Sequence, residues 1–120
     1  MSTNDPDNET RLLEQLALIR ASFLRRIQDE LPLFREQLAR ARAGDSTELE
    51  QLQSFVHRIH GGAATFDFIK VSESAEKLET LLEILIGTPL ATIAESEDMR
   101  RLVESGQRLA LAIGAATTRA

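Results

Sequence analysis

Two histidines, His57 and His60, are the only imidazoles in this 120-residue chain, and they stand three residues apart in the run His57-Arg58-Ile59-His60-Gly61-Gly62-Ala63-Ala64-Thr65-Phe66-Asp67-Phe68. An imidazole can ligate a metal, move a proton or attack as a nucleophile. A metal site would draw only two ligands from one helix face, and with no cysteine and no further histidine the remaining ligands would have to be carboxylates. No Ser, Asp or Cys stands beside a base in the local pattern that nucleophilic hydrolysis needs. No glycine-rich loop precedes a lysine to cradle a nucleotide, and no acidic cluster is arranged for magnesium. With those patterns absent, the local sequence leaves His57 open as a nucleophile or as a solvated side chain.

The surroundings of His57 favour access. Leu49, Leu52, Val56, Ile59, Ala63 and Phe66 recur every three or four residues and define one buried stripe of a helix. At 100° per residue, His57 projects about 120° from the centre of that stripe, toward solvent or the edge of a groove. Gly61 lies one turn on and Ala64 two turns on, so the surface beside the ring carries almost no side-chain bulk. Each glycine inside a helix costs about 1 kcal/mol relative to alanine, and Gly61 and Gly62 are consecutive. Access for a large reaction partner is one reason for such a pair. Close packing of a neighbouring helix is another, and a lone exposed histidine is commonly just a solvated side chain.

The elements that must position this segment are all helical. The first apolar period, Leu12, Leu13, Leu16 and Ile19, predicts a short N-terminal helix capping one end of a bundle. A polar arm over residues 1–8 precedes it, and the domain proper spans 9–118. Phe23, Leu24, Ile27, Leu31, Phe34, Leu38 and Ala39 predict a second helix, bent locally at Pro32 and closed by Gly44. Asp45, Ser46, Thr47 and Glu48 open the histidine-bearing helix with capping oxygens and early acids. After a turn at Phe68-Ile69-Lys70, Val71, Ala75, Leu78, Leu82 and Leu85 form the next stripe, which stops at Gly87-Thr88-Pro89. Leu90, Ile93, Met99, Leu102, Val103, Leu109, Leu111 and Ile113 predict a long last helix, with a frayed tail from Ala115. The fold class is all-α: an up-down antiparallel four-helix bundle with a short extra N-terminal helix.

The motif resembles the signature of histidine-containing phosphotransfer (HPt) domains, in which a histidine is followed three residues later by lysine, then glycine, then small residues and a closing glycine. His57, Gly61, Gly62, Ala63, Ala64 and Phe66 carry the resemblance, together with Ala75-Glu76-Lys77-Leu78-Glu79 downstream. It implies that His57 accepts a phosphoryl group from a receiver-domain aspartyl phosphate and passes it to another receiver. The chain would then be a phosphoryl carrier and not an autonomous kinase, with no cofactor of its own and Mg²⁺ on the partner receiver. Its partners would be a response-regulator receiver domain, a hybrid histidine kinase, or both. The partner face would comprise Gln53, Ser54, Arg58, Gly61 and Ala64, with Arg35 from the preceding helix.

Two residues depart from the family pattern. His60 stands where lysine is usual, so a permanent cation is replaced by a ring that is charged only when protonated, either a phosphate-stabilising neighbour or a half-buried spacer. Asp67 stands where the signature closes with glycine; aspartate tolerates left-handed geometry, but its charge would oppose phosphate if it faced His57. These departures keep open an HPt-like binding module that regulates a kinase or response regulator without being phosphorylated.

Composition sets the outer limits. With 28% charged residues, a formal charge of -5 and no basic stripe interleaved with aromatics, the chain is unsuited to nucleic acid. The N-terminus MSTNDPDNET is polar and acidic where a signal peptide is basic and then apolar, and no apolar run approaches membrane-spanning length. With no cysteines, this predicts a soluble cytoplasmic protein that contacts neither nucleic acid nor membrane.

Overall fold

In the computed structural model, which describes residues 6–43, 47–87 and 97–119, four helices follow one another: α1 (Pro6–Arg42), α2 (Thr47–Thr65), α3 (Ile69–Ile86) and α4 (Glu97–Arg119). Each contacts its neighbours in sequence, and α1 also packs on α4, which closes the ring. Arg40 meets Glu48 near one end of α1, whereas Phe23 lies over Gly62 toward the other, so α1 and α2 are antiparallel. Among the described residues the architecture is the all-α up-down bundle that the apolar periods predict.

The buried stripes of α2 and α3 are those read from the spacing. Leu49, Leu52, Val56, Ile59 and Ala63 are buried on α2, and Val71, Ala75, Leu78, Leu82 and Leu85 on α3. Phe55, outside the predicted stripe, is also buried, with its ring stacked on Phe34 of α1 at a centroid distance of 5.3 Å. On α4 the core takes Met99, Leu102, Leu109 and Ile113, while Leu111 is left 73% exposed. Where α4 crosses α1, Gly106 leaves no room for a side chain: a Cβ there would stand 2.7 Å from Leu38 Cδ2.

Three expectations need correction. The predicted first and second helices are one continuous helix, because Ile19-Arg20-Ala21-Ser22 contains neither glycine nor proline and gives the chain no reason to break. That helix begins at Pro6, so residues 6–8 of the expected arm are helical, as suits proline in a first turn. Leu12, Leu13, Leu16 and Ile19 do not cap the bundle and are 49–67% exposed. The tail from Ala115 is not frayed, since α4 continues to Arg119 and the hydroxyls of Thr117 and Thr118 donate to the carbonyls of Ile113 and Gly114. Pro32 lies within α1 on its exposed side. Gly87 ends α3 in right-handed geometry, at φ -82°. Gly44, Asp45, Ser46, Thr88, Pro89, Leu90 and Ile93, assigned above to caps, stops and the last helix, lie outside the described residues.

Candidate functional site

His57 stands on the outer surface of α2 at its edge with α3, with its side chain 75% exposed. The stripe Leu52, Val56, Ile59 and Ala63 anchors α2 in the core, and its helical phase turns His57 outward. His57 Nδ1 donates to Oε1 of Glu79 on α3 at 3.1 Å, and His60 Nδ1 donates to Oε2 of the same carboxylate at 3.3 Å. A carboxylate only accepts, so each ring must present Nδ1–H to it. In neutral His57 this tautomer leaves the lone pair on Nε2, at the end of the ring away from Glu79. Glu79 is largely covered, at 16% side-chain exposure, and is held between the two rings. It is the site residue to which the sequence analysis gave no role. Its signal was present as the second residue of Leu78-Glu79, directly after a core position of α3, but the sequence does not say which helix lies beside His57.

The two glycines have different surroundings. A Cβ at Gly61 would meet nothing within 4 Å, so the fold does not require glycine there and the surface one turn from His57 is open. A Cβ at Gly62 would stand 2.6 Å from Phe23 Cζ, and that ring is wedged between Phe66 and Phe68 at centroid distances of 5.3 Å and 6.2 Å. Gly62 is therefore the packing glycine, and it lets α1 approach α2.

Asp67 has φ 64°, the left-handed geometry. The amide of Phe68 donates to the carbonyl of Ala63 at 2.8 Å, and that of Asp67 to the carbonyl of Ala64 at 3.3 Å, the paired bonds of a Schellman helix end. Asp67 thus occupies the position glycine usually takes in this motif. Ten residues of helix, about 15 Å, separate it from His57.

Of the residues assigned to a partner face, Ser54 and Ala64 are exposed on α2 and Gln53 is half-buried. Arg58 turns toward α1, where its guanidinium lies 3.4 Å from Glu30 and over the ring of Phe55. Ser54 and Arg58 line a shallow hollow with Glu30 and Leu33 of α1. Arg35 is not part of this surface: it lines the groove between α1 and α4 with Leu38, Arg42 and Gln107. It sits about 140° around α1 from Glu30, the residue that does face α2.

An exposed histidine on a small-residue surface is held by a carboxylate of the next helix in a four-helix ring, and a family model described as Hpt domain matches residues 18–116. The chain belongs to the Hpt domain family. No curated protein and no solved structure matches it. As an Hpt domain it has a role in histidine phosphotransfer within phosphorelays, and Hpt domains work with receiver domains and kinases. Among the described residues, no helix is long and apolar enough to cross a membrane, and no group of three or more His, Cys, Asp or Glu is placed to hold a metal ion.

Proposed function

We propose that the protein is a cytoplasmic phosphoryl carrier in which His57 takes a phosphoryl group from the aspartyl phosphate of one receiver domain and delivers it to another. The observation that carries this reading is the 3.1 Å contact between His57 Nδ1 and Glu79 Oε1 on a ring that is otherwise open to solvent. The Nε2 lone pair attacks phosphorus, the bond from phosphorus to the aspartyl oxygen breaks, and the carboxylate leaves with the electron pair. No proton has to move. The ring becomes an imidazolium that keeps its Nδ1 proton, and the Glu79 carboxylate offsets the new positive charge as a buried acid does beside a catalytic histidine. Attack by a second receiver's aspartate reverses each bond change and regenerates neutral His57.

Electrostatic stabilisation of the transferring phosphoryl group, including Mg²⁺, belongs to the receiver's own site. The docking face runs along α2 through Gln53, Ser54, Gly61 and Ala64, bordered by Arg58. His60, a ring where the family usually has lysine, contributes by sharing Glu79 with His57. The presence of His60 where the family usually has lysine also favours a second reading, a module that binds a receiver or a hybrid histidine kinase without being phosphorylated.

Transfer from a panel of phosphorylated receiver domains separates the two. A carrier gains acid-labile, base-stable label in the wild type and in His60→Gln but none in His57→Gln. A binding module gains no label from any receiver, yet its affinity for the partner survives His57→Gln.

A further inference from the structure

The N-terminal third of α1 projects beyond the bundle. Every side chain from Asp7 to Ile19 is exposed, and the molecule is 66 Å long but only 24 × 19 Å in cross-section. Thirteen residues of helix span about 20 Å. The family match begins at residue 18, so almost all of this projection lies outside the matched bundle.

The projection is not polar all round. Leu12, Leu13, Leu16 and Ile19 lie within about 120° of one another around the helix, on the same side as Phe23, Ile27 and Phe34 further along α1. The face that α2 and α4 cover from Phe23 onward is thus continued, uncovered, back to Leu12. A contiguous apolar patch of a few hundred Å² marks an interaction site on a soluble protein. α3 ends and α4 begins at the opposite end of the bundle from this face.

Where the projection leaves the bundle there is a cleft of about 600 Å³, floored by Ala17, Ala21, Phe68, Ile69, Ala112 and Ala116. Its charged lining is Arg20 and Lys70, with Asp67 as the single acid. The first turn of the projection carries the opposite sign, through Asp7 and Glu9.

We infer that this face is covered by a second copy of the chain. The two projections lie side by side and antiparallel across a two-fold axis, with Leu12, Leu13, Leu16 and Ile19 of each against those of the other. Glu9, on the same face as these apolar residues, reaches the cleft of the other copy, opposite Arg20 and Lys70. Such a contact is self-complementary, as a two-fold interface must be. His57 is level with Glu30, eleven residues or about 16 Å along α1 from Ile19, and stays open in the dimer.

Sedimentation equilibrium from micromolar to millimolar concentration tests this on the full chain. The wild type should sediment at twice the chain mass, and Leu16→Glu should weaken association at least tenfold while circular dichroism shows full helicity, because Leu16 supports nothing in the monomer. Lys70→Glu should weaken the dimer, and adding Glu9→Lys to it should restore association. A wild type that remains monomeric throughout overturns the inference and leaves the face to a different protein. So does a dimer indifferent to Leu16→Glu, and one indifferent to Lys70→Glu overturns the reciprocal seating. Phosphotransfer to His57 is a separate readout: a monomeric Leu16→Glu variant that still takes up label disconnects neither result from its own test.

Discussion

Glu79 accepts one hydrogen bond from His57 and one from His60, each histidine taking a different oxygen of the same carboxylate. Two rings of α2 are thereby tied to one residue of α3, and the orientation of the exposed His57 ring depends on a largely covered side chain of the neighbouring helix. Which ring nitrogen of His57 is left free is selected by what binds the other one.

Replacing Glu79 therefore affects transfer more than folding. Glu79→Ala should slow phosphotransfer by about 10- to 100-fold, the usual range for loss of a residue that orients a functional histidine. Glu79→Gln should fall between, since its amide oxygen can accept from only one ring. Transfer kinetics measured beside thermal melts check this, and a melt that falls in step with the rate would assign Glu79 a structural role only.

The adjacent glycines should separate in the opposite sense. Gly61→Ala meets open space and removes a helix-interior glycine, so it should stabilise the protein by about 1 kcal/mol while slowing transfer to a docked receiver. Gly62→Ala forces Phe23 out of its place between Phe66 and Phe68, an overpacking cost of about 1–3 kcal/mol that exceeds the helical gain. Denaturant midpoints of the two variants give the comparison, and equal shifts in the same direction would contradict it.

Asp67 is strained and distant from the chemistry. Asp67→Gly should raise stability by roughly 0.5–1 kcal/mol by relieving the left-handed backbone at the end of α2, with transfer unchanged. A faster transfer in this variant would show that the Asp67 charge acts on His57 after all.

At the start of α4, the guanidinium of Arg100 hydrogen-bonds to Glu97 and holds its carboxyl below the ordinary glutamate range, while Glu97 raises Arg100. A depressed carboxylate contributes stability above its unfolded pKa and loses that contribution as pH falls through the folded value. Both groups are fully exposed, so the local effect is confined to acid pH and screened by salt. The side-chain titration of Glu97 followed by NMR should have its midpoint below that of a free glutamate, and Arg100→Ala should return it to the ordinary range.

The apolar periods made the bundle legible because three of the four helices carry a single stripe that the core buries. They could not mark where one helix ends and the next begins between Ile19 and Phe23, since a helical period runs through a joint and a continuous helix alike. Leu12 and Leu16 looked like core residues for the same reason: periodicity reports an apolar face and does not report what covers it. His57 could be placed because its outward angle follows from its own helix. Glu79 and Arg35 could not, because their relation to His57 depends on which helices are neighbours in the bundle. Gly61 could be placed beside His57 from its helical spacing, but that Gly62 is the packing glycine needed the position of Phe23.

The central claim is that Nε2 of His57 carries the phosphoryl group while Nδ1 keeps its proton against Glu79. Nitrogen-15 NMR of the protein phosphorylated by a receiver domain, with the imidazole nitrogens correlated to their ring protons, reads this directly. The account predicts phosphorus on Nε2 of His57 and a retained Nδ1–H, with His60 unmodified. Phosphorus on His60, or on Nδ1 of His57, would contradict it.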